Sequence, residues 1–211
     1  MHTVALNGRV DAGLQFLSQS VAKMLIATNW LLSQKIINQT IIKMMSNGDE
    51  LFPLVDENGV VIGKATRSFC HGGSKPLHPV VHLHILNSKG ELYLQKRSMK
   101  KDIQPGKWDT AVGGHIDYGE EVEEALKREA REELGIREFE YFLVTKYLFE
   151  SDIERELINC FKTTYNGIIT PDLDEVDEGR FWSITDIVNN IGKEIFTPNF
   201  ESEFLKIKEF L

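Results

Sequence analysis

The 211-residue chain has only two cysteines, Cys70 and Cys160, which lie ninety residues apart. Two cysteines give no disulfide framework of the kind that stabilises small secreted domains. The composition therefore favours a reducing compartment, and we predict a cytoplasmic location. Cys160 lies in an apolar run that is typical of a strand, and we interpret it as an inert buried thiol.

The chain also lacks an excess of positive charge. Its 24 Lys and Arg residues stand against 32 Asp and Glu residues, which gives a formal net charge of −8. A protein that binds a nucleic-acid backbone needs a basic surface, because the phosphates are anionic. The charge balance therefore argues against a nucleic-acid polymer as a partner.

The first 45 residues are nearly free of acidic side chains, since Asp11 stands alone against four basic residues. In this segment no stretch without a charge exceeds eleven residues, whereas a membrane-spanning helix needs about 20. We predict no transmembrane span and interpret residues 1–45 as a helix-prone extension of a domain at 46–211. A targeting segment, a membrane-surface helix and a mis-assigned start remain open. The interpretation that we adopt is an upstream in-frame extension, with the true start at Met44 or Met45.

Beyond residue 50, short β-rich runs alternate with turn residues. Residues 56–59 and 87–90 combine Asp, Asn, Ser and Gly between apolar runs, a pattern that predicts two β-hairpins. Apolar residues at helical spacing predict an amphipathic C-terminal helix at 200–211 that packs on the core. Strands mixed with helices on both faces indicate an α/β sandwich.

The segment 113–135 contains seven glutamates in 23 residues. On a helical wheel Glu129 and Glu133 project from the middle of an apolar stripe, and Glu132 lies at its edge. Basic side chains such as Arg128 fall on the opposite, solvated face. Burying unpaired carboxylates costs several kcal/mol each, so these glutamates require cations. A hard divalent cation such as Mg²⁺ is one solution, and salt bridges from other elements are the alternative.

The spacing of these residues resembles the Nudix box, in which Gly114 and Glu120 precede the run REAREELGI at 128–136. The resemblance implies a Nudix α/β/α sandwich with a mixed β-sheet that binds Mg²⁺ or Mn²⁺ and cleaves diphosphate linkages. It assigns catalysis and metal binding to Glu129, Glu132 and Glu133. The backbone carbonyl of Gly113 is implied as a further metal ligand.

The general base that deprotonates the attacking water stays open. The resemblance implies Glu129 or a metal-bound neighbour. In some members of the family an acidic loop supplies the base, so Glu175 and Glu178 are weaker candidates. The alternative for such a loop is simple solvation.

From about residue 51 onward the chain also resembles the type I isopentenyl-diphosphate isomerases, a branch of the same fold. The run 77–115 follows the order of that family without an evident gap. The isomerases bind a divalent metal through three histidines and two glutamates. The matching residues here are His71, His78, His115, Glu154 and Glu156. We therefore predict a second metal site. Mixed imidazole and carboxylate ligands favour Zn²⁺ or Mn²⁺ at such a site. The alternative is that these residues remain only as packing.

The same resemblance implies a set of cations that binds the diphosphate. These cations are Arg67, Arg97 and Lys101, which suit phosphate oxygens. Trp108 is a candidate for stacking on the substrate, with a role in sealing the core as the equal alternative. His82 and His84 alternate with apolar residues, and we interpret them as pocket walls or as core histidines with satisfied hydrogen bonds.

Two departures from the isomerase pattern decide the predicted chemistry. The isomerases have a catalytic cysteine where this chain has Gly113, and they lack the glutamates at the positions of Glu129 and Glu132. Isomerisation needs an acid–base pair, whereas hydrolysis needs metals and a positioned base. We therefore predict a metal-dependent hydrolase of a nucleoside diphosphate derivative or a related organic diphosphate. The alternatives are an isomerase and a non-catalytic ligand sensor, and the sequence leaves homo-oligomerisation open.

Overall fold

The computed structural model describes residues 50–100, 104–173 and 176–211. The strands are β1 (Leu51–Val55), β2 (Val61–Thr66), β3 (Leu77–Leu86), β4 (Leu92–Arg97), β5 (Trp108–Asp109), β6 (Val112–His115), β7 (Phe142–Glu150), β8 (Arg155–Thr164) and β9 (Val176–Trp182). The helices are α1 (Arg67–Cys70), α2 (Val122–Leu134), α3 (Ile184–Asn190) and α4 (Pro198–Ile207), followed by a 3₁₀ turn at Lys208–Phe210. The predicted extension 1–45, Lys101 and Glu175 lie outside the described residues.

A mixed sheet organises the described domain. Its strand order is β5-β4-β3-β8-β7, with β6 paired to β3 and β9 paired to β4. Strands β3 and β8 run parallel, and the other pairs of this sheet are antiparallel. Strands β1 and β2 form a separate antiparallel hairpin. Both hairpins predicted from the turn residues are therefore present, and so is the predicted mixed sheet.

The central strand β3 separates two layers because its side chains alternate between the two faces of the sheet. On one face Leu83 packs in a core with Leu126 of α2. On the other face His82 and His84 contact Glu203 of α4. A helix therefore covers each face of the sheet, as the predicted α/β/α sandwich requires.

Helix α2 has defined ends. At its start the backbone N–H of Glu121 donates to the side chain of Glu124, as in a capping box. At its end Gly135 adopts a left-handed conformation with φ 69°, and its N–H donates to the carbonyl of Arg131 at 3.0 Å. These caps fix the register with which the helix presents its glutamates.

The C-terminal helix α4 packs on the core, as its apolar spacing predicts. Thr197 caps its first turn by accepting a hydrogen bond from the N–H of Phe200. Phe200 and Phe204 are buried in the core, but Glu203 between them is buried as well. No helix among the described residues combines the length and apolar character needed to cross a bilayer.

We propose that the domain boundary lies just before residue 46, and we expect a chain that starts at Met45 to keep the kcat/KM of the full chain. Glu50 accepts a hydrogen bond from the guanidinium of Arg67 at 3.1 Å, so the cut leaves the first described contact intact. Steady-state kinetics and thermal unfolding of both chains provide the measurement.

A chain that starts at Val55 is the matched control for this truncation. It loses most of β1 and with it Phe52, which is buried, so it should unfold at a clearly lower temperature. If the chain from Met45 aggregates or loses activity, the first 44 residues contribute to the folded domain and our boundary is wrong.

Candidate active site

Strand β6 lies between two groups of candidate site residues. It pairs with β3 so that Gly113 lies opposite His82. Because paired residues share a face and successive residues alternate, Gly113 and His115 face the α4 side of the sheet. Gly114 faces α2. Two adjacent glycines therefore border two different environments.

On the α2 side, Gly114 lies directly against Glu129. A Cβ atom added at Gly114 would lie 2.1 Å from Cδ and 2.2 Å from Oε1 of Glu129, so the contact requires glycine. The Glu129 side chain is only 14% exposed, and burial raises its pKa although Arg128 opposes that shift. The sequence prediction of a carboxylate in a buried setting agrees with this geometry.

Arg128 does not belong to the solvated face on which the helical wheel places it. Its guanidinium contacts Glu129 at 2.7 Å and donates two hydrogen bonds, of 2.8 and 2.9 Å, to Glu120. It also donates to the backbone carbonyl of His115 at 2.9 Å. Arg128 thus supplies part of the positive charge that we assigned to a metal. A helical wheel represents one helix alone, so it does not show that Glu120 and the carbonyl of His115 bind this side chain.

The other two glutamates of the box differ in exposure. Glu133 accepts a hydrogen bond from Nε2 of Gln95 on β4 at 3.1 Å, which directs it toward the sheet. Glu132 is 52% exposed and contacts Arg128 at 3.4 Å and Arg131 at 3.2 Å. The structure therefore places Glu129 and Glu133 toward the sheet and Glu132 at the rim. Carboxylate oxygens beside a glycine backbone form a donor set that fits Mg²⁺ or Mn²⁺.

The described residues among the predicted substrate residues lie on different elements. Arg97 contacts the carboxylate of Asp109 at 3.3 Å. Arg67 lies beside the histidines, with Nη1 3.5 Å from Nδ1 of His115. Trp108 is 6% exposed in a core cluster, and its ring is 5.2 Å from that of Trp182, which favours the sealing role over stacking on a substrate. Lys101 lies outside the described residues.

Three of the five candidate ligands of the second metal site come together on the α4 side. Ring nitrogens of His71, His78 and His115 all lie within 4.8 Å of one another. The Nε2 atoms of His71 and His115 are 3.0 Å apart. Phe52 covers the group, with its ring stacked on His115 at a centroid distance of 4.4 Å.

His78 supplies the observation that tests whether this group fits a metal. Its Nδ1 donates to the carbonyl of Pro76 at 3.0 Å, which leaves Nε2 with a lone pair. That Nε2 is buried and has no hydrogen-bond partner. Burial lowers the pKa of His78 and holds that of His115 well below its usual value. A neutral imidazole with an unpartnered nitrogen, as His78 has, is the form that binds Zn²⁺ or Mn²⁺.

The two glutamates of this group lie beside the histidines. Glu154 accepts from Nδ1 of His71 at 2.7 Å. Glu156 is buried and pairs with His78 in the register of β3 and β8. Burial, together with the nearby charge of Glu154, raises the pKa of Glu156 to about 7. The fold thus brings the five positions from four separated parts of the chain to one place.

We expect protein purified without chelator to contain about one equivalent of a transition metal, because five donors in one place suit a single ion. The variants His78→Ala and Glu156→Gln should lose it, since each removes a donor. Elemental analysis measures the content. Glu57→Gln, which alters an exposed glutamate paired with Arg155, is the control and should retain the metal. A low content in the wild type, with no affinity on titration, would leave these residues as packing.

A buried ionic network lies on the same side, centred on Glu203. Its carboxylate accepts from Nδ1 of His82 at 2.7 Å, and it also contacts His84, Tyr147 and Cys160. Burial disfavours its ionised form, but the attraction of His82 and the hydrogen bonds of His82 and His84 outweigh burial and hold the pKa of Glu203 well below its usual value. Burial and Glu203 raise the pKa of Cys160, as an inert thiol requires.

Sequence reasoning placed His82 and His84 as pocket walls or satisfied core histidines, but it missed their carboxylate. The missed signal is a glutamate inside the apolar stripe 200–207, the same pattern that drew attention to Glu129. The partner residues lie 119 and 121 positions away. Only the fold identifies them.

We expect the pair of His82 and Glu203 to stabilise the fold most at mildly acidic pH. Burial opposes the charged form of His82, but Glu203, Glu156 and Asp109 outweigh it and raise its pKa to about 9. A raised histidine pKa gives stability that is complete below about 6.5 and is lost as the pH rises through 9. The lowered pKa of Glu203 gives stability that is lost at acidic pH.

The measurement is urea unfolding of the wild type and Glu203→Gln at pH 6 and pH 9.5. The difference in unfolding free energy between them should shrink at the higher pH by an amount on the order of 1–3 kcal/mol. Glu209→Gln, which changes an exposed glutamate, should show no such change. An equal difference for Glu203→Gln at both pH values would contradict the charged pair.

Comparison with known proteins agrees with this geometry. Residues 76–202 match the family model of the NUDIX domain. The chain is 33% identical over 162 residues to isopentenyl-diphosphate Delta-isomerase 1 of Photorhabdus laumondii, covering 73% of this chain and 92% of that protein. It is 27% identical over 171 residues to an uncharacterized Nudix hydrolase of Streptomyces coelicolor, covering 78% and 92%.

Solved structures show the same fold. A MutT protein from Methanosarcina mazei Go1 matches with a TM-score of 0.56 and 26% identity, over 65% of this chain and 96% of that one. A protein from Deinococcus radiodurans matches with a TM-score of 0.66 and 23% identity, over 75% and 99%. The chain therefore belongs to the Nudix family, on a branch similar to the isopentenyl-diphosphate isomerases.

Proposed function

We propose that the protein is a divalent-metal-dependent hydrolase that cleaves a diphosphate linkage by attack of water at phosphorus. The proposed substrate is a nucleoside diphosphate derivative or a related small organic diphosphate. The observation that carries this proposal is the contact between Glu129 and Gly114, because it brings a box carboxylate against the glycine backbone beside Gly113. A complete box on a capped helix supports the same conclusion.

In this proposal the residues around the box have different roles. Glu129, Glu132, Glu133 and the carbonyl of Gly113 hold Mg²⁺ or Mn²⁺. A divalent cation supplies, when bound, positive charge against the oxygens of the diphosphate. Arg128 orients Glu129 through its 2.7 Å contact, and the two hydrogen bonds that it donates to Glu120 fix its own position. A carboxylate held in this way is suited to direct a water molecule.

An isomerase is the alternative that a specific observation favours. The five positions that correspond to the isomerase ligands lie together, and the chain is 33% identical to a protein named as such an isomerase. In a hydrolase these residues would hold Zn²⁺ or Mn²⁺, which would supply positive charge for the oxygens of the diphosphate. The departure at Gly113 favours hydrolysis over isomerisation.

The test is a panel of nucleoside diphosphate derivatives and isoprenoid diphosphates, incubated with Mg²⁺ or Mn²⁺ in H₂¹⁸O. We expect cleavage of at least one compound, with ¹⁸O in the phosphate product, since water attacks phosphorus. Incorporation of ¹⁸O into a hydroxyl group on carbon, with none on phosphorus, would contradict attack at phosphorus. Tight binding of a compound without any cleavage would overturn the hydrolase and indicate a ligand sensor.

A further inference from the structure

The ring of His82 lies against Gly113 with one edge. A Cβ atom added at Gly113 would lie 3.5 Å from Cδ2 and 3.6 Å from Nε2 of His82. Gly113 itself is exposed, and the His82 side chain keeps 11% exposure whereas Glu203 and His84 have none. The Nε2 edge of His82 is therefore the part of the buried network that lies nearest the surface of the candidate site.

Glu203 fixes the orientation of this ring. The 2.7 Å hydrogen bond from Nδ1 to the carboxylate assigns the opposite nitrogen, Nε2, to the Gly113 side. Tyr147 and His84 contact the same carboxylate and hold it in place. A rotation of the His82 ring would break the contact with Glu203. The direction of the exposed Nε2 edge is therefore fixed before a ligand binds.

Geometry also identifies which histidine carries the charge that balances Glu203. A fully buried carboxylate needs a cation, because an unpaired one costs several kcal/mol. His84 has a buried Nδ1 without a partner, so charging it would bury an unsatisfied N–H group. His82 has no such cost because its Nε2 lies at the exposed edge. An N–H donor on a cationic ring is therefore directed past Gly113.

We propose that His82 is a substrate-binding residue whose Nε2–H donates a hydrogen bond to an anionic oxygen of the bound diphosphate, and that Glu203 is its positioning residue. This proposal places the bound diphosphate across Gly113, which adjoins Gly114 of the box in the chain and the His82 ring in space. The proposal deepens the proposed function and rests on it for the identity of the ligand. It also gives glycine at this position a role, since a larger side chain would cover Nε2.

One substitution, with a matched control, distinguishes the roles of the two nitrogens of the His82 ring. His82→Asn keeps a donor at the position of Nδ1, and hence the contact with Glu203, but removes Nε2. His84→Gln is the matched control, because it keeps a donor toward Glu203 in a residue with no exposed edge. The Kd for inorganic diphosphate with Mg²⁺ is measured by calorimetry on the full chain, beside the unfolding midpoint.

We expect His82→Asn to weaken diphosphate binding about 10- to 100-fold, as the loss of a hydrogen bond to a charged group does. Its unfolding midpoint should fall, because asparagine keeps the contact with Glu203 but not the balancing charge, so binding is measured well below that midpoint. His84→Gln should bind within about twofold of the wild type. Glu203→Gln should raise KM for a cleaved substrate more than it lowers kcat, because it acts on binding through His82. Unchanged binding in His82→Asn would overturn the proposal.

A second measurement keeps the proposal testable if His82→Asn does not fold. In ¹⁵N spectra of the wild-type imidazoles, inorganic diphosphate should shift the Nε2 signal of His82 and leave that of His84 in place. No shift at saturating diphosphate would overturn the proposal. If diphosphate shifts the signal but no substrate is cleaved, the hydrolase fails and the binding role of His82 stands. If substrate is cleaved without any shift, the binding role fails alone.

Discussion

Glutamine in place of Glu133 is expected to lower kcat by roughly 10²–10⁴-fold, since it removes a carboxylate charge from the proposed metal ligands. The fold should persist, because glutamine has nearly the same volume and can still contact Gln95, which lies 3.1 Å from Glu133. The measurement is kcat on the substrate found in the panel, with Mg²⁺ as the sole metal and the unfolding midpoint beside it.

Glu123→Gln provides the matched control for this change. Glu123 is exposed on the same helix, so the control makes the same chemical substitution away from the box. Its kcat should remain within about twofold of the wild type, since an exposed surface charge contributes little. Turnover at the wild-type rate in Glu133→Gln would refute the assignment of this residue to the catalytic machinery.

We expect that the protein does not catalyse the isomerisation of isopentenyl diphosphate. An isomerase must protonate one carbon and deprotonate another, and Gly113 offers no thiol at the position where the isomerases have their cysteine. The structure adds His82 at this point, which the sequence reading did not foresee. His82 is a poor acid for carbon, since losing its proton would leave the buried Glu203 uncompensated and its pKa is raised to about 9.

The measurement is deuterium uptake from D₂O into isopentenyl or dimethylallyl diphosphate, followed by mass spectrometry. We expect no exchange above that of heat-inactivated protein. Exchange at ordinary turnover rates, roughly 1–10³ s⁻¹, would refute the expectation and favour the isomerase. Gly113→Cys is the informative companion, because an added Cβ meets only ordinary contacts with His82. Exchange that appears only in this variant would assign the missing chemistry to residue 113.

The fold and the box were predictable because their signals are local. The spacing of Gly114, Glu120 and the glutamates of α2 lies within one helix, the turn before it and the end of β6. The role of Arg128 was not predictable from the same helix. Its position depends on Glu120 and on the carbonyl of His115, which come from the turn and from β6. A helical wheel shows neither.

Contacts between distant parts of the chain needed a different kind of information. The histidine group was proposed only through the isomerase resemblance, since His71, His115 and Glu154 are far apart in the sequence and none is unusual alone. For Glu203 there was a local signal on its own helix but no resemblance to name the partners. The sequence analysis did not use this signal, and only the packing of α4 on β3 shows that His82 and His84 are the partners of Glu203.

Because side chains alternate along β6, each of its two glycines can be substituted without altering the contacts of the other. A substitution at 113 alters the surface shared with His82 and leaves the packing of Glu129 on Gly114 untouched, because the two positions face opposite sides of the sheet. A change at 114 has the reverse effect. One strand can thus exchange the chemistry on one side while keeping that on the other, whereas a one-residue insertion would swap both faces at once. A single substitution at 113 can accordingly change the surface beside His82 while the packing of the box on Gly114 stays the same.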